Sequence, residues 1–302
     1  MARRRKNKRK LVSLLIPLIC IVLTAIIYGG GKITDFLNGI LKPQSVSFDT
    51  NLDFVKFIDV GQGDCALIYS NGKTALIDTG TVASANDVCK ELKDIGIKTI
   101  DVMMISHLHS DHTGGIERIV EDFKVENLIL PELSTFSDGM SAVQNAINRV
   151  SAIGGGVYNA VQGMNFDIGE FEVTVLAAYS DDQENNRSIL AMAEIENRKF
   201  LFTGDAETEV EKRLIEEGLN LKCDVLKVGH HGSNTSSSKA FLDKIMPRTA
   251  VISVGAGNSY GHPHNEIISR FNSLDTEVFR TDRSGNITFY VKDGEISVKT
   301  EE

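Results

Sequence analysis

An α/β protein with mixed β-sheets and helices on the outside is the fold class that the 302-residue sequence predicts. Three observations carry this. Strand-like and helical segments alternate from about residue 53 to residue 299. The runs at 100–105 and 223–228 are almost wholly apolar, as strands covered on both faces must be. Asn71-Gly72, between two strand-like runs, is a strong hairpin turn signal, so antiparallel pairs sit beside helix-linked strands.

The elements follow in order. Strands are expected at 53–60, 64–70 and 74–78, then a helix over 84–95. A strand at 100–105 leads into a polar loop and a helix from about 113. Further strands fall near 126–130, 156–160, 170–177, 188–195 and 199–203. A helix near 207–218 precedes a strand at 222–228. The pattern then repeats with helix 238–246, strand 249–254, helix 264–273 and strands 276–280, 286–291 and 295–299. No internal repeat and no composition break divides residues 51–302, which read as one domain.

Composition excludes several classes. At 42% hydrophobic and 24% charged, with 5 Pro and no Trp, the chain is neither disordered, collagenous nor a disulfide miniprotein. Its net charge of −9 conceals a division: residues 1–32 hold eight of the 32 Lys/Arg and none of the 41 Asp/Glu, leaving −17 for the rest. Residues 1–10 are a basic segment, and 11–31 run 21 residues without a charge. That length suits a membrane-spanning helix, and the preceding positive charges hold the N-terminus in the cytoplasm. Residues 32–50 read as a tether. The catalytic body is therefore expected outside the cytoplasmic membrane on a single-pass anchor; a cleaved secretion signal is the alternative. Cys65, Cys89 and Cys223 form no C-x-x-C pair, and Cys65 and Cys223 lie in apolar runs that suit buried thiols.

The chemistry concentrates in His107-Leu108-His109-Ser110-Asp111-His112, which holds three of the seven histidines. In extended chain leaving the strand at 100–105, His107 and His109 point to one side and can grip one ion. Asp111 and His112, where the chain turns into a helix, can reach a second. Imidazole with carboxylate suits zinc or manganese. Phe202-Thr203-Gly204-Asp205 ends another strand in a carboxylate able to bridge two ions. Lys227-Val228-Gly229-His230-His231-Gly232-Ser233 delivers two histidines; His230 is favoured as the ligand and His231 as the group that meets substrate, without excluding the reverse. His262, in Gly261-His262-Pro263, is a further catalytic candidate. Asp78 ends a strand in the same style and is expected to orient a ligand or the histidine loop. Asp59 and Asp64 flank glycines suited to a tight turn.

Taken together, these segments resemble the metallo-β-lactamase superfamily. F-I-D-V-G-Q-G-D, F-T-G-D, K-V-G-H-H-G-S, S-V-G at 253–255 and Y-G-H-P are similar to the hydrolase domain of the ComEC family. The resemblance covers about residues 53–300. It implies a four-layer αβ/βα sandwich with two divalent metal ions, Zn or Mn, at one edge. It places His107, His109, Asp111, His112, Asp205 and His230 or His231 as ligands. The family's third-motif histidine has no counterpart, because Asn185-Asn186-Arg187-Ser188-Ile189-Leu190 supplies none, and the first ion would rest on His107, His109 and Asp205. Asp205 stands where β-lactamases often carry Cys, which favours phosphoesters over antibiotics. The expected function is metal-dependent phosphodiester hydrolysis by activated water, with Asp111, His231 and His262 catalytic and Asn186 or Arg187 holding substrate. A DNA or nucleotide fragment and a cell-surface phosphodiester are both open as substrates, since a net of −17 opposes nonspecific binding of long nucleic acid. Only one expected span argues against a transport channel. The rivals are a lactone or thioester hydrolase of the same fold, and a tethered binding module with a decayed site.

Overall fold

The computed structural model describes residues 52–133 and 137–301. The expected basic segment, membrane span and tether lie outside the described residues. Among the described residues no helix is long and apolar enough to cross a membrane. In chain order the strands are β1 (Asp53–Phe57), β2 (Ala66–Ser70), β3 (Lys73–Ile77), β4 (Thr99–Met104), β5 (Lys124–Leu130), β6 (Gly156–Asn159), β7 (Asn165–Ile168), β8 (Phe171–Ala177), β9 (Leu190–Ile195), β10 (Arg198–Phe202), β11 (Val225–Lys227), β12 (Thr249–Ile252), β13 (Glu277–Arg280), β14 (Asn286–Lys292) and β15 (Glu295–Glu301). The helices are α1 (Ala85–Ile95), α2 (Ser110–Thr113), α3 (Ile116–Asp122), α4 (Met140–Ala152), α5 (Thr208–Glu216), α6 (Lys239–Ile245), α7 (Asn265–Asn272) and α8 (Thr281–Ser284).

Two mixed sheets result. The first has eight strands in the order β15-β14-β1-β2-β3-β4-β5-β6, and the second seven in the order β13-β12-β11-β10-β9-β8-β7. Each has an antiparallel half and a parallel half: β3 to β6 run parallel in the first, β10 to β13 in the second. Right-twisted parallel strands joined by helices force those helices onto the outer faces. Val88 and Leu92 of α1, Ile119 of α3 and Val143 of α4 cover one sheet; Leu214 of α5, Phe241 of α6 and Phe271 of α7 cover the other.

Strand β4 serves two cores at once, while its acidic residue, Asp101, is half-buried and accepts from Lys73 Nζ at 2.6 Å and from the Thr74 amide at 2.9 Å. Ile100 and Met103 face the helix layer, while Val102 and Met104 face the space between the sheets. There they meet the cluster that includes Phe57, Val173, Phe200 and Val225. Each such side chain contributes roughly 1.5–3 kcal/mol by leaving water. Cys65, Cys89 and Cys223 are free and buried.

Some elements depart from expectation. The helix expected from 113 is two short helices, α2 and α3, and the strand expected over 53–60 ends at Phe57. Helix α4 and strand β7 had no counterpart in the sequence reading. The buried stripe of α4 is only Val143, Ala146 and Val150, and β7 buries only Ile168. Both patterns are too sparse to stand out from a loop.

Candidate metal centre

The carboxyl ends of β3, β4, β10, β11 and β12 meet at one edge of the sandwich. Strand β4 ends in Ser106 and the histidine loop, and β10 ends in the turn before Asp205. Gly204 has φ +50, and a Cβ there would lie 2.9 Å from the Ser106 Cβ, so only glycine lets the two strand ends approach this closely. Asp205 is then fixed by its own amide, which donates to Ser188 Oγ at 3.0 Å. Ser188 belongs to the stretch that lacks the third-motif histidine.

Ligand atoms of Asp111, His112, Asp205 and His231 all lie within 4.8 Å of one another. His112 is fully buried; its Nδ1 lies 2.8 Å from Asp78 Oδ2, which accepts its proton, leaving Nε2 turned to Asp205 Oδ1 at 3.3 Å. Neither of those two facing atoms has a hydrogen-bond partner, although both are buried. Such orphaned polar atoms are costly unless something else satisfies them. A divalent cation fits this donor set of two imidazoles and two carboxylates. His231 is prepared in the same way: its Nδ1 donates to Ser253 O at 2.9 Å, and Nε2 faces Asp111 Oδ2 at 3.2 Å and Asp205 Oδ2 at 3.6 Å. Beside this quartet, His107 Nε2 and His109 Nδ1 stand 3.0 Å apart, with Asp205 Oδ2 3.9 Å from His107 Nε2.

The placement of the two adjacent histidines corrects the sequence reading. His231, not His230, joins the quartet. Both have left-handed backbones, with φ 49 for His230 and 53 for His231, so the alternation of a strand does not apply to them. His230 lies on the rim, its Nδ1 3.1 Å from Thr235 Oγ1 and its Nε2 3.8 Å from Asp205 Oδ2. Asn186 and Arg187, expected to meet substrate, lie among loop residues away from the cleft. Asn186 is buried and its Oδ1 accepts from the Glu207 amide at 3.3 Å, while Arg187 sits by Glu132 at 3.8 Å and Glu184 at 4.0 Å. Neither lines the cleft of about 470 Å³ over the cluster, which Asp111, Asp205, His231 and His262 do line.

Asp78 stands beneath the histidine loop, where it is hydrogen-bonded to Ser106 and His112. It is 1% exposed, has φ 59, and accepts from the Ser106 amide and hydroxyl, each at 2.7 Å, as well as from His112. Replacing it with alanine unlocks the His112 ring. The expected outcome for Asp78→Ala is a 10- to 100-fold weaker metal affinity, roughly what losing such a hydrogen-bonding carboxylate costs, read by competition with a chelator.

One supporting pair escaped the sequence reading. Lys227 Nζ lies 2.7 Å from Asp64 Oδ2, both side chains being nearly inaccessible, and Asp64 Oδ1 stands 3.3 Å from His231 Nδ1. The Asp64 amide also donates to Asp111 O at 3.2 Å. A Cβ on Gly63 would come within 2.3 Å of that same oxygen, so only glycine permits this approach. The available signal was Lys227 itself, a cation at the end of an otherwise apolar strand.

The electrostatics of the cluster are those of a carboxylate-rich site demanding positive charge. Burial works against the charged form of His231, yet the Asp205 and Asp64 carboxylates and the bond to Asp111 outweigh it and raise its pKa to about 10. Burial likewise opposes His112, but Asp205 and Asp78 hold it well above the usual imidazole range. Burial pushes His107 well down, with His112 adding to the effect, so it is neutral and ready to coordinate. His262 is depressed to about 4 by burial and by His230 and His231. At pH 7 the protein alone therefore carries protons on His112 and His231 that a bound ion must displace. Metal uptake near pH 7 is expected to release protons, and affinity to rise with pH until His231 titrates near 10. Calorimetric titration of the chelator-stripped protein in two buffers of different ionisation enthalpy measures this. Uptake with no proton released would contradict the assignment.

Comparison with known proteins agrees with the architecture. A family profile described as the metallo-beta-lactamase superfamily matches residues 58–256. Among curated proteins, ComE operon protein 3 of Bacillus subtilis (strain 168) is 30% identical over 261 residues, covering 79% of this chain and 33% of that protein. Competence protein ComA of Neisseria gonorrhoeae is 33% identical over 233 residues, covering 76% of this chain and 31% of that protein. The chain thus spans about a third of the length of these relatives. Two solved structures share the fold at low identity. One is CmlA, a diiron β-hydroxylase from Streptomyces venezuelae, with TM-score 0.54, 14% identity and coverage of 80% of this chain and 54% of that one. The other is the metallo-beta-lactamase fold protein YhfI from Bacillus subtilis, with TM-score 0.53, 11% identity and coverage of 82% and 100%.

Proposed function

Because the chain belongs to the metallo-β-lactamase superfamily, with ComEC-like competence proteins as relatives, we propose that it is a metal-dependent phosphodiesterase. The observation that carries this is the convergence of Asp111, His112, Asp205 and His231 at the floor of an open cleft. His107, His109 and Asp205 would hold a second ion beside it. Zinc and manganese both suit this donor set. The ions supply Lewis acidity and positive charge, which favours attack of water on phosphorus. Asp205 orients the ligands around it and keeps its own negative charge: burial opposes ionisation, but His231 and His112 hold its pKa well below the usual range. Asp78 and Ser253 keep His112 and His231 in the tautomers that turn Nε2 inward. His262 lines the cleft with its buried Nδ1 unpartnered and stands where it can meet a phosphate oxygen or the leaving group.

Relatives named as competence and recombination proteins support a nucleotide phosphodiester as substrate. The acidic body favours short or single-stranded pieces over long duplex. The N-terminal basic and apolar segments support a membrane-anchored enzyme whose catalytic body faces outward, which protease accessibility on intact cells tests directly. The activity is tested with the purified full chain under Mn²⁺ and Zn²⁺ on bis-p-nitrophenyl phosphate, an oligonucleotide and a lactone. Faster lactone cleavage would overturn the phosphodiester reading. No turnover together with well under one ion per chain would leave only a tethered binding module.

A further inference from the structure

The Tyr260-Gly261-His262-Pro263 segment matters for more than His262. Of the large apolar side chains left exposed among the described residues, Tyr260 is the one that lines the cleft, and it is 66% exposed. Its ring is stacked on His262, with centroids 5.6 Å apart and planes 25° from parallel. His262 in turn faces His231 at 6.5 Å and 30°. Three rings therefore follow one another from the proposed ligand cluster outward, each tilted by 25–30° from its neighbour.

The loop that presents them is locked. The Asn258 carboxamide donates to His262 O at 2.7 Å and to Gly255 O at 3.0 Å, and accepts from the Tyr260 amide at 3.1 Å and the His262 amide at 3.0 Å. The Asn234 amide donates to His264 Nδ1 at 2.9 Å. An exposed aromatic ring on a loop backbone held this firmly, and backed by a neighbouring ring beside the cluster, is preorganised for a flat partner.

We propose that Tyr260, backed by His262, is the stacking platform for a nucleobase flanking the scissile phosphate. The proposal rests on the phosphodiesterase reading and adds to it what selects the substrate. Tyr260 and His231 line the same cleft with His262 between them, 5.6 Å from the one and 6.5 Å from the other, so a phosphodiester reacting at the cluster would have a flanking base on the side where Tyr260 stands. Base stacking on an aromatic ring tolerates any sequence, since every base has a π-face. A quaternary ammonium group such as choline is a poorer occupant, because its recognition uses several aromatic walls and the described lining of this cleft offers one tyrosine.

The experiment uses the full chain with Mn²⁺ and a short single-stranded oligonucleotide, with one base at a time replaced by an abasic site. Tyr260→Ala is expected to raise KM about 5- to 100-fold while metal content stays unchanged, and Tyr260→Trp to restore it. In the wild type one flanking abasic position causes the same loss; in Tyr260→Ala that position no longer matters. A 2-aminopurine oligonucleotide reads stacking without turnover. Its fluorescence is quenched on binding to the wild type and not to Tyr260→Ala. If no phosphodiester is cleaved, the functional reading fails and this quench still decides the platform. A KM within twofold of wild type, a quench that survives Tyr260→Ala, or competition by phosphocholine but not by a nucleoside monophosphate overturns the proposal.

Discussion

Asp205→Ala is expected to abolish turnover to within a residual of about 10⁻³, the cost of losing several kcal/mol of charge stabilisation from the ions. Its carboxylate approaches four of the histidines around the cleft. Its Oδ2 lies 3.9 Å from His107 Nε2, 3.8 Å from His230 Nε2 and 3.6 Å from His231 Nε2, while its Oδ1 lies 3.3 Å from His112 Nε2. Removing the carboxylate takes away the group shared by both candidate ion positions, and metal content should fall with activity. Asp205→Asn separates charge from shape: it keeps the volume but not the anion, so it should behave like the alanine variant. Because Asp205 is buried among groups that its charge holds protonated, both variants should also lose the high pKa of His231, visible as an imidazole resonance titrating closer to pH 7. Retention of more than a tenth of wild-type turnover, with metal content intact, would mean that Asp205 only holds the turn.

Two neighbouring histidines should respond very differently to the same substitution. His231→Ala is expected to cost on the order of 10²- to 10³-fold in kcat and to reduce the ions bound per chain. His230→Ala is expected to cost under about tenfold, chiefly in KM, because His230 stands on the rim and lies outside the quartet of ligand atoms. Metal analysis alongside kinetics distinguishes them. If His230→Ala were the variant that lost metal, the inward orientation of His231 would be incorrect.

Much of this was legible in the chain itself, and the reason is periodicity. Strand β4 reads as buried because Val102, Met103 and Met104 serve two different cores, while Asp101 is met by Lys73 and Thr74. The histidine loop is conspicuous because three imidazoles within six positions serve no packing purpose. Asp78, Asp111, His112 and Asp205 were identifiable because each follows an apolar strand, the position where a parallel sheet exposes its carboxyl edge. The hairpin at Asn71-Gly72 joins β2 to β3 as its turn chemistry requires.

What needed the folded molecule is of another kind. Which of His230 and His231 points inward depends on two successive left-handed residues, and no spacing rule survives such a turn. The Lys227–Asp64 pair joins positions far apart in sequence, and its value arises only once both are shut away from water. Asn186 and Arg187 have the chemistry of substrate contacts, yet neither lines the cleft: Asn186 is buried with its Oδ1 taken by the Glu207 amide, and Arg187 stands between Glu132 and Glu184. The sequence by itself determined the layers, the histidine loop and the strand ends that carry the clustered imidazoles and carboxylates, since burial period and residue clustering are local properties. The tertiary structure alone decided which side chains meet, because that depends on backbone turns and on distances between segments that are remote along the chain.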